Sequence, residues 1–389
     1  MDRVILHCDM NNYFATVEEK YNRSLKEIPF AVCGDPKMRH GIVLSKNELA
    51  KKAGVLTAIS FKQAKEICPN LHFIEANYSR YLEESKKARE IYKKYSKRII
   101  PFGLDEAWID LSENKITIEE GKQIADLIRL EIKYSLSLSA SIGVSDNFIF
   151  AKLGSDYKKP DATTIISREN YKNIVWPLPV SDLLFVGAKR KKTLSRYGIV
   201  TIGDLAVANQ SFLKRILGVA GVDIWEFANG DDKNFKPEND KIKSIGNTIT
   251  PPNDIHTTED ASALLYLLTN SVCTRLHKHN FKAISICINI KDSDFNKIQR
   301  QISGYPTDNI NYIFNRAYEL FCNHYLWEKP VRAIGISVSN LIEQKYEQLS
   351  FFENENYKLS VDIKKRVRNL AKSFGNIDIE KTVLTKDWE

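Results

Sequence analysis

The order of apolar and amphipathic segments is the feature that most constrains the fold of this chain. An apolar run over residues 3–9 predicts a buried strand, and residues 79–158 predict helix, strand, strand, helix, strand and a closing helix. Together they give the β-α-β-β-α-β order of a ferredoxin-like unit, with an insertion after the first strand. Residues 243–341 predict the same order again, without repeating the sequence of the first unit. We therefore expect an α+β protein.

Three other segments separate or follow these units. Within the insertion, residues 28–61 predict short strands and a small helix over 46–53. Residues 167–234 predict a helical block that ends in the polar turn 229–234 and opens a linker. The C-terminal tail predicts one short amphipathic helix that ends at Gly375.

Composition and charge narrow the classes of function. The chain has 389 residues, 43% of them hydrophobic, and no apolar run long enough to cross a membrane. Its N-terminus lacks the apolar core of a signal peptide, and its six cysteines form no CxxC pair and are expected to be buried free thiols. We therefore expect a monomeric, cytoplasmic protein with no membrane partner. The net charge of +8 fits a polyanionic partner, whose phosphates attract clustered Lys and Arg.

Three acids at the ends of predicted strands are the strongest chemical signal. Asp9 ends the first strand, and Asp105 and Glu106 stand at the tip of a predicted hairpin. Phosphoryl transfer with two metal ions needs such a cluster, because Mg²⁺ prefers oxygen ligands and two ions clamp the attacking and leaving oxygens. The spacing alone also fits a solvated turn and a helix-capping Asp9, so both interpretations stay open at this point.

Four short segments carry a resemblance to a known family. They are DMNNYFATVE at residues 9–18, LDEA at 104–107, GVS at 143–145 and AKLGSDYKKP at 151–160. In type, order and separation they resemble the motifs of the Y-family DNA polymerases, especially the bacterial DNA polymerase IV-like and UmuC-like proteins. With the chain order, the resemblance covers roughly residues 1–341.

The resemblance implies a right-hand polymerase with a ferredoxin-like palm and small fingers. It also implies a helical thumb with a helix-hairpin-helix, and a β-α-β-β-α-β little finger. The implied boundaries are palm 1–11 and 79–166, fingers 12–78, thumb 167–234, linker 235–242, little finger 243–341 and tail 342–389.

The implied activity is template-directed, low-fidelity DNA synthesis for lesion bypass, without proofreading. It would add deoxynucleoside triphosphates to the primer 3′ end of primer-template DNA, using two Mg²⁺ ions. By match, Asp9 and Asp105 bind both ions, and Glu106 holds the ion that activates the primer 3′-hydroxyl. The main-chain carbonyl of Met10 would complete one coordination shell.

The implied nucleotide pocket lies beside these acids. Asn12, Tyr13 and Phe14 open a helix that Asn11 or Asn12 is expected to cap, and free N–H groups at a helix start suit a triphosphate. By match, Phe14 is the steric gate that excludes a 2′-hydroxyl; ordinary core packing is the alternative for this aromatic pair. The further nucleotide contacts are Ser45, Lys51 and Lys159, with Lys152 as a weaker match.

Four residues depart from the family pattern. Asn11 stands where polymerase IV types often carry a second Asp, and Lys51 replaces the usual Arg, losing its bidentate fork. Phe148 replaces a Lys, and Glu48 replaces a phosphate-contacting Tyr. Residues 45–48 also read S-x-x-E, which predicts a capping box in which Glu48 reaches back to Ser45.

Two segments are expected to contact the DNA backbone. Residues 184–192 resemble the thumb's helix-hairpin-helix, with Phe185 in place of its first Gly, and there Gly187, Lys189 and Arg190 would hold phosphates without reading sequence. A plain basic helix face is the alternative. Lys243 and Ser244 match the start of the little finger, where further candidates are Lys291, Lys297 and Arg300.

The tail contains a peptide that resembles the clamp-binding motif of bacterial polymerases. Gln348 would fill a polar pocket on the sliding clamp, and Leu349, Phe351 and Phe352 an apolar one. Aromatic residues exposed in a polar tail are otherwise unfavourable, which favours a binding role.

Two other functions stay open from the residues alone. Another two-metal palm enzyme, such as a nucleotide cyclase, would lack the thumb hairpin, the little finger and the clamp peptide. A catalytically weak DNA-binding adaptor recruited to the clamp would not need all three acids.

Overall fold

The computed structural model describes residues 3–35, 41–237 and 242–343. The chain divides into two compact units, residues 1–34 with 42–239 and residues 35–41 with 240–389. Within the described residues, no helix is long and apolar enough to cross a membrane.

The first unit contains eight strands and eleven α-helices among its described residues. The first part comprises β1 (Ile5–Met10), α1 (Tyr13–Tyr21), β2 (Phe30–Cys33), β3 (Val43–Lys46), α2 (Glu48–Lys52), α3 (Phe61–Ile67) and β4 (His72–Glu75). The middle part comprises α4 (Tyr78–Lys93), β5 (Arg98–Pro101), β6 (Glu106–Asp110), α5 (Ile118–Glu131), β7 (Ala140–Ser145), α6 (Phe148–Tyr157) and β8 (Thr163–Ile166). The last part comprises α7 (Tyr171–Ile174), α8 (Ala188–Ser195), α9 (Ile202–Val207), α10 (Gln210–Leu217) and α11 (Val219–Ala228).

The main sheet of this unit has the strand order β5-β6-β1-β7-β8. The first four strands have the ferredoxin-like order, as the sequence predicts, and β8 adds a parallel edge strand next to β7. All six residues of β1 are buried, which explains its continuous apolar run. Because side chains alternate across a strand, Leu6 and Cys8 face the core shared with α4 and α5, while His7 and Asp9 face α6.

Helix α6 packs unusually close to the sheet. A Cβ atom added to Gly143 on β7 would lie 1.9 Å from the carbonyl oxygen of Ala151, so only glycine fits there. The motif glycine therefore has a structural reason: it lets α6 approach the sheet and brings Lys152 over the end of β1.

The segment between α1 and α4 forms a small three-stranded sheet of order β3-β2-β4. The capping box predicted at Ser45 is wrong, whereas Asn12 is the N-cap of α1, as predicted, although its side chain makes no cap hydrogen bond. Asn47, and not Ser45, caps α2, because its side chain accepts from Ala50 N and also from Phe30 N, which ties the cap to β2. Ser45 is paired within β3. Asn12 precedes α1 in a left-handed conformation without a side-chain cap, and Asn11 bonds instead with Ser139 and Ser141.

Helices α1 and α4 are joined by two carboxylates buried between them. Glu18 accepts from Arg80 at 2.5 Å and from the Tyr81 hydroxyl at 2.7 Å. Glu84, which has no exposed surface, accepts from Lys20 at 2.6 Å and from the Tyr21 hydroxyl at 3.1 Å. Buried charges are tolerated when they are paired and hydrogen-bonded, and these contacts fix α1 on the palm.

Helices α8 to α11 share a core with α6, and the segment after α11 returns to the main sheet. Asn229 and Gly230 end α11, which confirms the predicted turn. Asp232 pairs with Arg3 at 2.7 Å and accepts from Phe148 N at 2.9 Å. Phe235, which the sequence placed in the linker, packs against Trp108 and Phe148.

The second unit has the predicted element order: β9 (Ser244–Ile249), α12 (Thr258–Lys278), β10 (Phe281–Asp292), β11 (Lys297–Thr307), α13 (Ile310–His324) and β12 (Val331–Glu343). Its sheet order is β11-β10-β12-β9, which differs from that of the first unit because β9 lies at the edge beside β12. Both helices contribute to the apolar core of this unit.

Candidate active site

A cleft of about 280 Å³ opens where β1 ends. The cleft lies within the first unit, between the segments predicted to be the palm and the fingers. One of its walls is charged, and the other carries mainly aromatic and polar side chains. The charged wall consists of Asp9, Asp105, Glu106, Lys152, Asp156 and Lys159. The fingers side consists of Asn12, Tyr13, Phe14, Leu44, Ser45, Lys46 and Thr57, with Met10 at the base.

The three predicted acids occupy adjoining backbone positions. Asp9 on β1 is the cross-strand partner of Glu106 on β6, and Met10 N donates to the carbonyl oxygen of Asp105 at 3.0 Å. Asp9 is only 4% exposed, and the N-cap position of α1 is held by Asn12. The alternative of a solvated turn with a helix-capping Asp9 is therefore wrong.

Two lysines neutralise these acids. Lys152 lies 2.9 Å from Asp9, 2.8 Å from Glu106 and 3.2 Å from Asp156. Lys159 lies 2.8 Å from both Asp9 and Asp156. Burial lowers the pKa of Lys152, but the three carboxylates outweigh it and raise the pKa above the ordinary value, so the ammonium stays charged.

Asp105 is the acid least compensated by these cations. Burial, and then the neighbouring charges of Glu106 and Asp9, raise the pKa of Asp105 to about 6. A bound cation would lower that pKa again, because an opposite charge favours the ionised form.

The donor set fits a divalent cation of the Mg²⁺ type. Three carboxylates at adjoining positions provide hard oxygen ligands, which such ions prefer. Among the residues that the structure describes, no group of three His, Cys, Asp or Glu side chains is already gathered as a metal centre. Asp9 and Glu106 contact lysines instead, so they would have to turn from Lys152 and Lys159 towards the ion.

The fingers side of the cleft is built on Phe14. Its ring stacks on Tyr81 with 4.4 Å between centroids and 12° between planes. Tyr13 is buried, and its hydroxyl donates to the carbonyl of Tyr81 at 2.6 Å, so this side chain belongs to the core although it borders the cleft. Tyr81 in turn donates to Glu18, which fixes the ring under Phe14. Ser45 also lines the cleft and accepts from Ala15 N at 3.4 Å.

Sequence reasoning missed His7, which lies behind the acids on the same face of β1. The ring has no exposed surface, contacts Trp108 edge-on at 4.9 Å, and has Nδ1 2.9 Å from Ser155 Oγ. Burial lowers the pKa of His7 well below its usual value, so the ring is neutral. The available signal was a polar residue inside an apolar strand, two positions before Asp9, but its partner Ser155 is 148 positions away.

Comparisons with known proteins agree with this geometry. The impB/mucB/samB family matches residues 8–156, and the impB/mucB/samB family C-terminal domain matches residues 242–351. DNA polymerase IV of Acetivibrio thermocellus is 43% identical over 100% of this chain and 98% of its own length. DNA polymerase IV 1 of Bacillus subtilis is 35% identical over 100% of this chain and 94% of its own.

A solved structure, a Y-family DNA polymerase chimera, matches with a TM-score of 0.78 at 23% identity, over 87% of this chain and 99% of that one. The chain belongs to the Y family of DNA polymerases. The mixed α+β fold of a Y-family polymerase, expected from the sequence, is thereby confirmed.

The departures from the Y-family pattern have local structural explanations. Phe148 is buried with Trp108 and Phe235, and Arg3 lies 5.0 Å from its ring centroid, so it is a core residue and not a phosphate contact. Glu48 accepts from Asn12 at 2.7 Å and lies 3.4 Å from Lys51. Lys51 does not line the cleft, in contrast to its expected nucleotide contact, and Lys46 takes a place there that the sequence did not predict.

In the segment predicted to be the thumb hairpin, Phe185 stands where the family pattern has its first glycine. Phe185 adopts φ +69°, in the left-handed region that glycine favours. Its ring packs on Phe227 and Phe235, and its carbonyl accepts from Arg190 at 2.5 Å. Gly187 follows as the N-cap of α8, and Lys189 is exposed in the first turn of that helix.

The other predicted DNA contacts lie in the second unit, and the predicted clamp contacts lie outside the described residues. Lys243 is exposed, and Ser244 begins the exposed face of β9. Lys291 and Lys297 face each other across β10 and β11, an arrangement of like charges that a polyanion would stabilise. The clamp peptide, Gln348 to Phe352, and the predicted tail helix lie outside the described residues.

Proposed function

We propose that this chain is a template-directed, low-fidelity DNA polymerase that extends primers past damaged template bases. The observation that carries the proposal is the convergence of Asp9, Asp105 and Glu106 beside the ring of Phe14 in one cleft. The adaptor alternative is not favoured, because the chain matches DNA polymerase IV relatives along its whole length and retains all three acids.

The proposed roles of the residues follow from their positions. Asp9, Asp105 and Glu106 would hold the divalent cations, with Glu106 on the side of the primer 3′-hydroxyl. When bound, the ions stabilise the charge that develops on the attacking and leaving oxygens. Lys152 and Lys159, released from these acids, would face the triphosphate, and Phe14 would close the floor under the sugar.

Y-family DNA polymerases generally depend on divalent metals, and two Mg²⁺ ions are our specific proposal. The relatives compared above are bacterial proteins, so we propose that the chain acts in the bacterial cytoplasm on chromosomal DNA. We also propose that it is a monomer that reaches DNA with a sliding clamp.

Primer extension tests the activity. Purified protein should extend a primer on undamaged DNA and on a template with an abasic site when deoxynucleotides and Mg²⁺ are present, and EDTA should stop it. A high-fidelity polymerase that stalls at the abasic site is the control. Absence of extension on either template with Mg²⁺ or Mn²⁺ would overturn the proposal.

The carboxylate of Glu48 should weaken nucleotide binding. It accepts from Asn12, which lines the cleft, and it pairs with Lys51, whose ammonium would otherwise be available to the incoming phosphates. Both members of the Glu48–Lys51 pair are about half exposed, so removing the charge is worth about 0.5–1 kcal/mol, or a roughly 2- to 5-fold lower KM. Steady-state kinetics of Glu48→Gln and Glu48→Tyr should show this decrease.

The matched control for this prediction is Glu66→Gln on α3, which removes an exposed carboxylate from the same segment outside the cleft. An unchanged or raised KM in both Glu48 variants would contradict the proposed role.

The peptide 348–352 should carry clamp binding. Replacing Leu349, Phe351 and Phe352 by alanine should abolish stimulation by the sliding clamp and leave basal primer extension unchanged, because the three apolar anchors are removed and no residue of the cleft is touched. The control is alanine at Glu353 and Glu355. Full clamp stimulation of the triple variant would refute this interpretation.

A further inference from the structure

His7 presents one ring nitrogen to a proposed metal ligand and the other to the helix behind it. Nδ1 lies 2.9 Å from Ser155 Oγ on α6, and Nε2 lies 3.3 Å from Glu106 Oε2 on β6. Within the part of the chain that the structure describes, Nε2 has no hydrogen-bond partner. The ring is fully buried, so bulk water does not reach this nitrogen.

The surroundings decide which nitrogen carries the proton of the neutral ring. A bare Nε2 would direct its lone pair at the carboxylate of Glu106, which is repulsive. A proton on Nε2 converts that contact into a donor facing an anion, and Nδ1 can then accept from the Ser155 hydroxyl. Ser155 has one proton and a second acceptor in reach, the carbonyl of Lys152 at 2.7 Å, so its hydroxyl can turn to either.

Lys152 alone does not fix Glu106. Its ammonium is divided among Asp9, Glu106 and Asp156 on a flexible side chain. The imidazole is instead held rigidly, because His7 lies in the central strand and its ring is wedged against Trp108, whose indole N–H donates to the Phe148 carbonyl at 2.9 Å.

We propose that His7 is a positioning residue for polymerisation: Ser155 orients its ring, and its Nε2–H donates to Glu106 and sets the direction of that carboxylate. A small rotation of the Glu106 side chain closes the contact. The inference rests on the proposed metal-binding role of Glu106. Neighbours that orient metal ligands commonly affect activity by 10- to 100-fold, although they do not touch the substrate.

Two variants separate positioning from packing. His7→Phe keeps an aromatic ring against Trp108 and removes both nitrogens; His7→Gln keeps a side-chain N–H donor that can reach Glu106. We expect His7→Phe to lower kcat about 10-fold with KM for the deoxynucleotide changed less than about 2-fold, and to keep the wild-type Tm or raise it. His7→Gln should recover most of kcat.

A second measurement does not depend on turnover. Two-bond ¹H–¹⁵N spectra of the wild-type protein, with the His7 signal assigned from the His7→Gln variant, should show the tautomer with the proton on Nε2. Ser155→Ala should weaken that preference. A proton on Nδ1 in the wild-type protein would overturn the inference.

The kinetic outcomes distinguish this inference from the proposed function. Wild-type kcat in His7→Phe, together with an inactive Glu106→Ala, would refute the positioning role and leave the polymerase proposal intact. An equal loss in His7→Phe and His7→Gln would also refute it, because the donor would then not matter. An active Glu106→Ala would instead remove the metal-binding role on which the inference rests.

Discussion

Replacing Glu106 by alanine should lower kcat for primer extension by on the order of 10³-fold, about 4 kcal/mol of transition-state stabilisation. Glu106 on β6 is the cross-strand partner of Asp9 on β1, so the substitution removes one of the three proposed metal ligands at adjoining positions. Asp9 and Asp105 would still hold the cation on the side of the triphosphate. The cation beside the primer 3′-hydroxyl would be lost. Single-turnover extension at saturating deoxynucleotide measures the effect.

The fold should survive this substitution. Lys152 keeps its ion pairs with Asp9 and Asp156, so no buried cation is left alone. The matched control is Glu113→Ala, an exposed acid just after β6, which should retain wild-type kcat and Tm. If Glu106→Ala extended primers within about 10-fold of the wild-type rate, the two-metal assignment would fail.

Truncating Phe14 should open the pocket to ribonucleotides. A 2′-hydroxyl pressed against the ring is an overpacked contact that costs about 1–3 kcal/mol, so Phe14→Ala should raise ribonucleotide incorporation relative to deoxynucleotide by roughly 5- to 160-fold. The ring is held in place by its stack on Tyr81. The ratio of kcat/KM for the two sugars, measured with the same base, is the readout.

Tyr13, the aromatic residue next to Phe14, provides the control for the steric-gate prediction. Tyr13→Phe removes one hydrogen bond, from its hydroxyl to the carbonyl of Tyr81, and costs about 1 kcal/mol of stability. It leaves the Phe14 ring in place, so sugar selectivity should not change. Equal selectivity in Phe14→Ala and wild type would show that another group excludes the 2′-hydroxyl.

The positions of the three acids could be predicted from the sequence because Asp9 lies near the end of one apolar strand and Asp105 and Glu106 lie at the start of another. The spacing alone left a solvated turn open, and the resemblance to the Y-family motifs favoured a metal-binding cluster. The pairing of β1 with β6 then follows from the ferredoxin-like element order, and it places Asp9 opposite Glu106. Local patterns were less reliable where long-range contacts compete with them. The S-x-x-E pattern predicted Ser45 as the cap of α2, but Asn47 caps it. Ser45 is paired in strand β3, and the Asn47 side chain also accepts a hydrogen bond from Phe30 N on β2.

Other parts of the site depend on contacts that no local pattern encodes. The position of Lys46 in the cleft depends on the register of a short strand, and Glu48 is directed towards Asn12 across 36 positions of sequence. The same limit explains Phe185. A residue in a glycine position predicts a damaged hairpin, yet the Phe185 ring packs on Phe227 and Phe235, both more than 40 positions further along the chain, while its backbone is left-handed.

Asp232 and Phe235 contact Arg3 and Trp108 at the point where the predicted linker begins. A mechanical load on the chain that follows Phe235 would therefore first strain the Arg3–Asp232 ion pair and the contact of Phe235 with Trp108. Helices α7 to α11 precede these contacts in the chain, so they would be shielded from that force and would keep their internal packing under such a load.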